Sequence, residues 1–237
     1  NYDLALGSTV TISGLTGSAT ADSAGLPITS TSGLFDATGL WDQSVGQMVL
    51  RAASGGPAAD RSCVVTFDLQ NSLSDQPSPV VSVAADIQDG AGISVGTIAS
   101  AEMSKPGAAL YGVRNGTDPL RTMVPAFNVK SIQQSTPVSG AMNSLTAILT
   151  ANYDMADGST VTILGLTGSL TGDTTGLAVS SVGACVESSG GWTQISGRLV
   201  LSIASEGMAA GTTCAFQFAL QNSESPQSSP PVRVSAI

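Results

Sequence analysis

The chain contains no histidine among its 237 residues. That removes the commonest general base and the commonest metal ligand, and with them Ser-His-Asp, Cys-His and histidine-metal chemistry. Its only lysines are Lys105 and Lys130, and neither sits in an arrangement that suggests a Ser-Lys pair. Aromatic residues are 4% of the chain and charged residues 11%. Eight scattered Lys and Arg against seventeen Asp and Glu give a net charge of −9. Such a surface repels phosphate backbones and anionic lipid, and it lacks the clustered cations of a nucleic-acid binder. No apolar run reaches the roughly 18 residues of a membrane span. These absences point away from an enzyme, from a cofactor, from nucleic acid and from membrane insertion. The start at Asn1, with neither an initiator Met nor a leader, reads as a mature or excised piece of something longer.

What is present is aliphatic, hydroxyl-rich and rich in turns. The hydrophobic share is 42%, and 27 glycines and 11 prolines punctuate the chain. This is the composition of a β-rich globular chain, since a disordered one lacks Val, Ile and Leu.

Internal repetition is the strongest signal. Asn1-Tyr2-Asp3 returns as Asn152-Tyr153-Asp154, and Gly7-Ser8-Thr9-Val10-Thr11-Ile12 as Gly158-Ser159-Thr160-Val161-Thr162-Ile163. Gly14-Leu15-Thr16-Gly17-Ser18 returns as Gly165-Leu166-Thr167-Gly168-Ser169. Trp41 matches Trp192, Cys63 matches Cys214, and Leu69-Gln70-Asn71-Ser72 matches Leu220-Gln221-Asn222-Ser223. The offset is constant at 151 residues, with about half of some 86 positions identical.

Within each copy the period is two. Thr9–Ile12, Gln47–Leu50 and Ser62–Leu69 alternate as half-buried strands do, and Pro79–Val83 closes the copy. Turn clusters of Gly, Asp, Ser and Pro separate these runs by roughly 8–15 residues, which suits a β-sandwich. Before Asn152 stand two further strand-like runs, Phe127–Ile132 and Leu145–Thr150. With five later strands they make the seven of an immunoglobulin-type sandwich. The expected fold is therefore all-β: two immunoglobulin-like antiparallel sandwiches in tandem, at 1–87 and 127–237, joined by a connecting segment at 88–126. The first should lack its two N-terminal strands. Such a gap exposes core and unpaired backbone. A neighbouring subunit could fill it by strand donation, the segment around Ile93–Ile98 could fold back in cis, or the strands could lie upstream in a longer tandem polymer.

Cys185 aligns with Leu34 of the first copy, and Cys214 with Cys63. Positions that face each other in one copy should do so in the other, so a Cys185–Cys214 disulfide is expected, with two buried free thiols as the alternative. Cys63 is then unpaired and packed near Leu34. Trp41 and Trp192 read as core residues, with a sugar-stacking platform as the alternative. Asp3, Asp86, Asp89, Asp154 and Asp157 read as turn aspartates and not as a calcium cage, because no EF-hand spacing is present. Thr9/Thr11 and Thr160/Thr162 are too few for an ice-binding array and fit strand propensity. Asn115-Gly116-Thr117 is the single N-x-Ser/Thr sequon and marks Asn115 as a glycosylation site. Ser78-Pro79 and Ser225–Pro231 are possible O-glycan carriers or edge-capping prolines.

The runs Ser135–Ala141, Leu149–Asp154, Gly158–Ile163 and Gly165–Gly168, with Lys105-Pro106-Gly107 and Leu110-Tyr111-Gly112 between the copies, resemble long tandem-repeat surface proteins of algae and other aquatic protists. Subunits of glycosylated freshwater extracellular fibrils are similar. The resemblance spans nearly the whole chain. It implies immunoglobulin-like domains, covalent glycans, a secreted or cell-surface location and a filament or surface-hair role, with copies of the chain as partners. It implies no catalytic residue. The rival function is an adhesin or carbohydrate-binding module on the same scaffold.

Overall fold

The computed structural model describes residues 3–237. Asn1 and Tyr2, which open the first repeat, lie outside the described residues. The chain divides into two compact units. Unit 1 comprises the residues up to Leu110 together with Arg114–Val124, and unit 2 comprises Tyr111–Val113 and Pro125–Ile237. Among the described residues there are fifteen β-strands and no α-helix.

Unit 1 contains β1 (Thr9–Ser13), β2 (Ser23–Ser30), β3 (Thr38–Asp42), β4 (Gln47–Arg51), β5 (Val65–Phe67), β6 (Ser82–Gln88) and β7 (Ser94–Glu102). Their order is β5-β2-β3-β4-β1-β6-β7, and the paired strands run antiparallel. Unit 2 contains β8 (Phe127–Gln134), β9 (Met142–Ala151), β10 (Thr160–Leu164), β11 (Thr174–Val182), β12 (Ser189–Thr193), β13 (Arg198–Ser202), β14 (Thr213–Gln221) and β15 (Arg233–Ala236). Their order is β15-β10-β13-β12-β11-β14-β9-β8. Strands β1–β6 recur as β10–β15, so the sequence repeat is also a repeat of topology.

One strand turns the sheet into a sandwich. In β11 the register slips between Thr174 and Leu177; up to Ala178 the strand pairs with β12, and from Val179 onward it pairs with β14. The matching slip in β2 lies between Ser23 and Leu26. A strand that leaves one sheet for the other makes a corner. In unit 2 this produces β8-β9-β14-β11 facing β11-β12-β13-β10-β15. The neighbours β9–β14 and β10–β15 reproduce two central pairings of an immunoglobulin sandwich, while β12 and β13 extend the second sheet beyond it.

Each copy thus has six strands where five were expected, and unit 2 has eight where seven were expected. β2 escapes a period-two reading because Gly25 and Pro27 interrupt its apolar positions. The segment 88–126 is also more than a connector. Its Ser94–Glu102 is β7, paired along β6. Farther on, Thr122 forms a β-bridge with Gln76, and Leu120 packs against the unit 1 core.

The cores follow from the alternation. In unit 2, Val161 and Ile163 of β10, Leu199 and Leu201 of β13, and Phe216 and Phe218 of β14 are all buried. Trp41 and Trp192 are buried too, and each indole Nε1–H donates to a main-chain carbonyl, Thr20 O and Thr171 O, at 2.9 Å. The turn after the first strand needs glycine in both copies. Gly14 and Gly165 have φ of +89° and +93°, and a Cβ there would lie 2.1 Å from Val80 O and 2.2 Å from Pro231 O.

Candidate functional site

The two copies of one strand behave differently. β14 pairs with β9 over nine residues, from Thr213↔Thr150 to Gln221↔Met142. This register sets Cys214 opposite Leu149, Phe216 opposite Ala147, Phe218 opposite Leu145 and Leu220 opposite Asn143. All four β14 side chains are buried. Their counterparts Cys63, Val65, Phe67 and Leu69 are only partly buried, and Val64 between them is 66% exposed. Val10 and Ile12 are likewise partly buried where Val161 and Ile163 are fully buried. The residue pattern is the same, so the difference comes from the missing cover. Among the described residues β5 pairs with β2 alone, and no strand stands where β9 and β8 stand in unit 2.

The fold-back segment does not fill this gap. The strand expected around Ile93–Ile98 exists as β7, but it lies on β6, at the opposite end of the sheet from β5. Unit 1 therefore has a strand beyond β6 that β15 lacks, and unit 2 has two strands beyond β14 that β5 lacks.

Unpaired edges invite association unless they are blunted. β7 carries two register shifts and Gly96. β8 carries one shift, between Phe127 and Val129, and bears Lys130. β15 follows Pro230-Pro231 and bears Arg233. The edge along β5 has no shift or proline, and its one charge, Asp68, stands just past the end of the strand. It is the least protected of the four edges and the one that borders open core.

A second feature lies at the end of this edge. In unit 2, Gln221 and Asn222 fasten the β8–β9 hairpin. Gln221 Nε2 donates to Gly140 O at 3.1 Å. Asn222 Nδ2 donates to Val138 O at 2.8 Å and Thr136 O at 3.1 Å, and Asn222 N donates to Ala141 O at 2.9 Å. Asn222 Oδ1 accepts from Asn143 Nδ2 at 2.9 Å, and Gly140 N donates to Ser223 O at 2.9 Å. The repeated tetrapeptide keeps these groups in unit 1 as Gln70, Asn71 and Ser72, where Gln70 and Asn71 are exposed. The sequence displayed the repeated Leu-Gln-Asn-Ser motif but not its task, which depends on a hairpin some eighty residues away.

Cys185 and Cys214 are bonded, with Cα atoms 5.8 Å apart. Closing a loop of this size contributes roughly 3–4 kcal/mol in the chain-entropy picture. Cys63 is the free thiol. Leu34, at the position of Cys185, belongs to the same partly buried cluster as Cys63.

The remaining candidates have structural employment. The burial of both tryptophans withdraws the ring faces that sugar stacking would use. Asp3 Oδ1 accepts from Ala59 N, Asp154 Oδ1 from Ala210 N, Asp86 Oδ1 from Ser94 Oγ, and Asp89 Oδ1 from Ala91 N and Ile93 N. Asp157 is exposed. Among the described residues no three His, Cys, Asp or Glu side chains are grouped to hold a metal ion. Lys105 and Lys130 donate to the carbonyls of Ser78 and Phe127. Thr9 and Thr11 lie on a central strand, between β4 and β6.

Asn115 is exposed, in a turn with φ of +57°, a conformation asparagine tolerates. It borders a polar cavity of about 520 Å³, also lined by Asp75, Lys105, Arg114, Asp118 and Arg121. This gathering of three cations had no sequence signature, since they are spread along the irregular segment from Lys105 to Arg121. Arg121 Nη1 donates to Gln76 O at 2.7 Å and Thr122 O at 2.9 Å, so one of the three fastens the fold-back segment.

No protein-family model matches the chain, and no curated protein matches it significantly.

Proposed function

We propose that this chain is a structural subunit of a secreted, glycosylated extracellular filament or surface hair, built by strand complementation or by stacking of tandem repeats. The observation that carries this reading is the open β5 edge of unit 1 set beside its closed counterpart in unit 2. An acceptor on one unit and a complementary strand pair from beyond these two units, in a further repeat or on another polypeptide, form a heterologous contact, which propagates instead of closing on itself. The resemblance to tandem-repeat surface proteins supports the same role. The disulfide suits an oxidising compartment, and the exposed Asn115 sequon is available to a glycan. The reading assigns no catalytic step and no cofactor. Its partners are copies of the chain and covalent sugar.

Electron microscopy of the native material in dilute buffer tests it. Regular filaments are the expected result, and monodisperse single particles overturn it. Intact-mass measurement before and after enzymatic deglycosylation tests the glycan, with Asn115→Gln expected to remove the N-linked increment.

A further inference from the structure

In deepening the complementation reading, and resting on it, we propose that the β5 edge and the Gln70–Asn71 pair form an acceptor for one kind of partner: a β-hairpin of the β8–β9 type, held antiparallel to β5. The argument has two independent parts. The first is the apolar face, where Cys63, Val65, Phe67 and Leu69 lack the cover that Leu149, Ala147 and Leu145 give to β14. The second is the polar clamp, where the exposed Gln70 and Asn71 repeat the two side chains that grip the hairpin loop in unit 2. The chain's own hairpin is not free to serve, because β9 is engaged along all nine β14 pairs. The occupant is therefore a further hairpin of that pattern from outside these two units.

The register follows from the repeat. Cys63 faces the position of Leu149, Val65 that of Ala147, Phe67 that of Leu145, and Leu69 that of Asn143. Three of the four acceptor residues are identical in the two copies. The fourth differs in a useful way: Phe216 meets Ala147 in unit 2, whereas unit 1 has the smaller Val65. Filling the same space requires a larger residue from the donor. The unit 1 acceptor thus selects a hairpin with Val, Ile or Leu where β9 has Ala147.

The test adds a synthetic peptide of residues 127–151 to the full chain. The peptide should slow alkylation of Cys63, the one free thiol. Ala147→Leu in the peptide should tighten binding about tenfold, as expected for three added buried carbons after losses in fit. Asn71→Ala in the chain should weaken binding about tenfold while leaving unit 1 folded, because Asn71 is exposed without its guest. With oxidised glutathione as the electron acceptor, a peptide with Leu149→Cys should form a disulfide with Cys63, and one with Ile148→Cys, facing the other way, should not. Absence of Cys63 protection, indifference to Asn71→Ala, or equal crosslinking from both cysteine peptides would overturn the proposal. Failure here separates from failure of the filament reading. Filaments without peptide binding mean assembly through another surface, and the acceptor falls. Register-specific binding with no filaments in the native material leaves the acceptor standing and removes the filament.

Discussion

Phe67 and Phe218 occupy the same repeat position and differ chiefly in whether a β9-type strand lies alongside theirs. Truncating each to alanine measures what that strand contributes. Phe218 is buried to 2% exposure, so Phe218→Ala loses roughly 2 kcal/mol of transfer free energy. It also leaves a closed void of roughly 100 Å³, which at about 24 cal/mol per Å³ adds about 2.4 kcal/mol. The total is near 4 kcal/mol, within the usual range of about 3–5 for such a change. Phe67 is only partly buried. Its void opens on solvent and fills with water, so the cavity term largely vanishes and the cost falls to roughly 1–2 kcal/mol. Hydrogen exchange read by mass spectrometry resolves the two units in one sample, using the amides of β4 for unit 1 and β13 for unit 2. Phe218→Ala should lower protection in β13 by about 4 kcal/mol, and Phe67→Ala should lower it in β4 by less than half as much. Saturation with the 127–151 hairpin should then raise the Phe67→Ala cost toward that of Phe218→Ala. Equal costs in the absence of hairpin would refute the reasoning, since they would mean that Phe67 is already covered.

Three further outcomes can be checked. Cys185→Ser should destabilise unit 2 by roughly 3–4 kcal/mol and leave protection in β4 unchanged; loss in both units would show that the disulfide acts beyond its own sandwich. Leu34→Cys sets a second thiol where unit 2 has Cys185, so the refolded, oxidised chain should weigh two hydrogens less than the reduced one; two titratable thiols after oxidation would break the equivalence of the copies. Asp42 is held below its ordinary value near 3.8, chiefly by the Ser44 hydroxyl, against a smaller desolvation effect and with help from the backbone N–H groups of Val45 and Ser44. A depressed carboxylate stabilises the fold at pH above its unfolded value and loses that contribution as pH falls through its folded value. Acid should therefore loosen the β3–β4 turn of unit 1 below about pH 3.8, while unit 2, with Thr193 at this position, should show no matching step. A carboxyl NMR titration placing Asp42 at or above the ordinary value would refute this.

Much of the architecture was legible because β-structure writes itself locally. Alternation in Thr9-Val10-Thr11-Ile12 announces a strand with one buried face, and the 151-residue offset announces that whatever forms once forms twice. The Cys185–Cys214 bond, expected from the places of the two residues in the repeat, is present. Where the local signal was broken, the reading failed. Gly25 and Pro27 concealed β2, whose switch between sheets depends on two different neighbours and not on its own period.

Amino-acid order by itself settled the fold class, the repeat and the absence of histidine chemistry, since these rest on composition and on interactions a few residues apart. The repeat already placed the gap in the first copy; tertiary structure alone decided that it falls along β5 and that β7, lying on β6, does not fill it. Val65-Thr66-Phe67 and Phe216-Gln217-Phe218 carry the same alternation, yet one is left bare and the other is sealed, because burial belongs to whatever strand lies alongside and not to the strand itself. The same holds for the Gln-Asn pair of the repeated Leu-Gln-Asn-Ser, exposed in unit 1 and a hairpin clamp in unit 2. Hydrogen-bond partners that far apart in sequence are chosen by the packing of sheets, which no local pattern records.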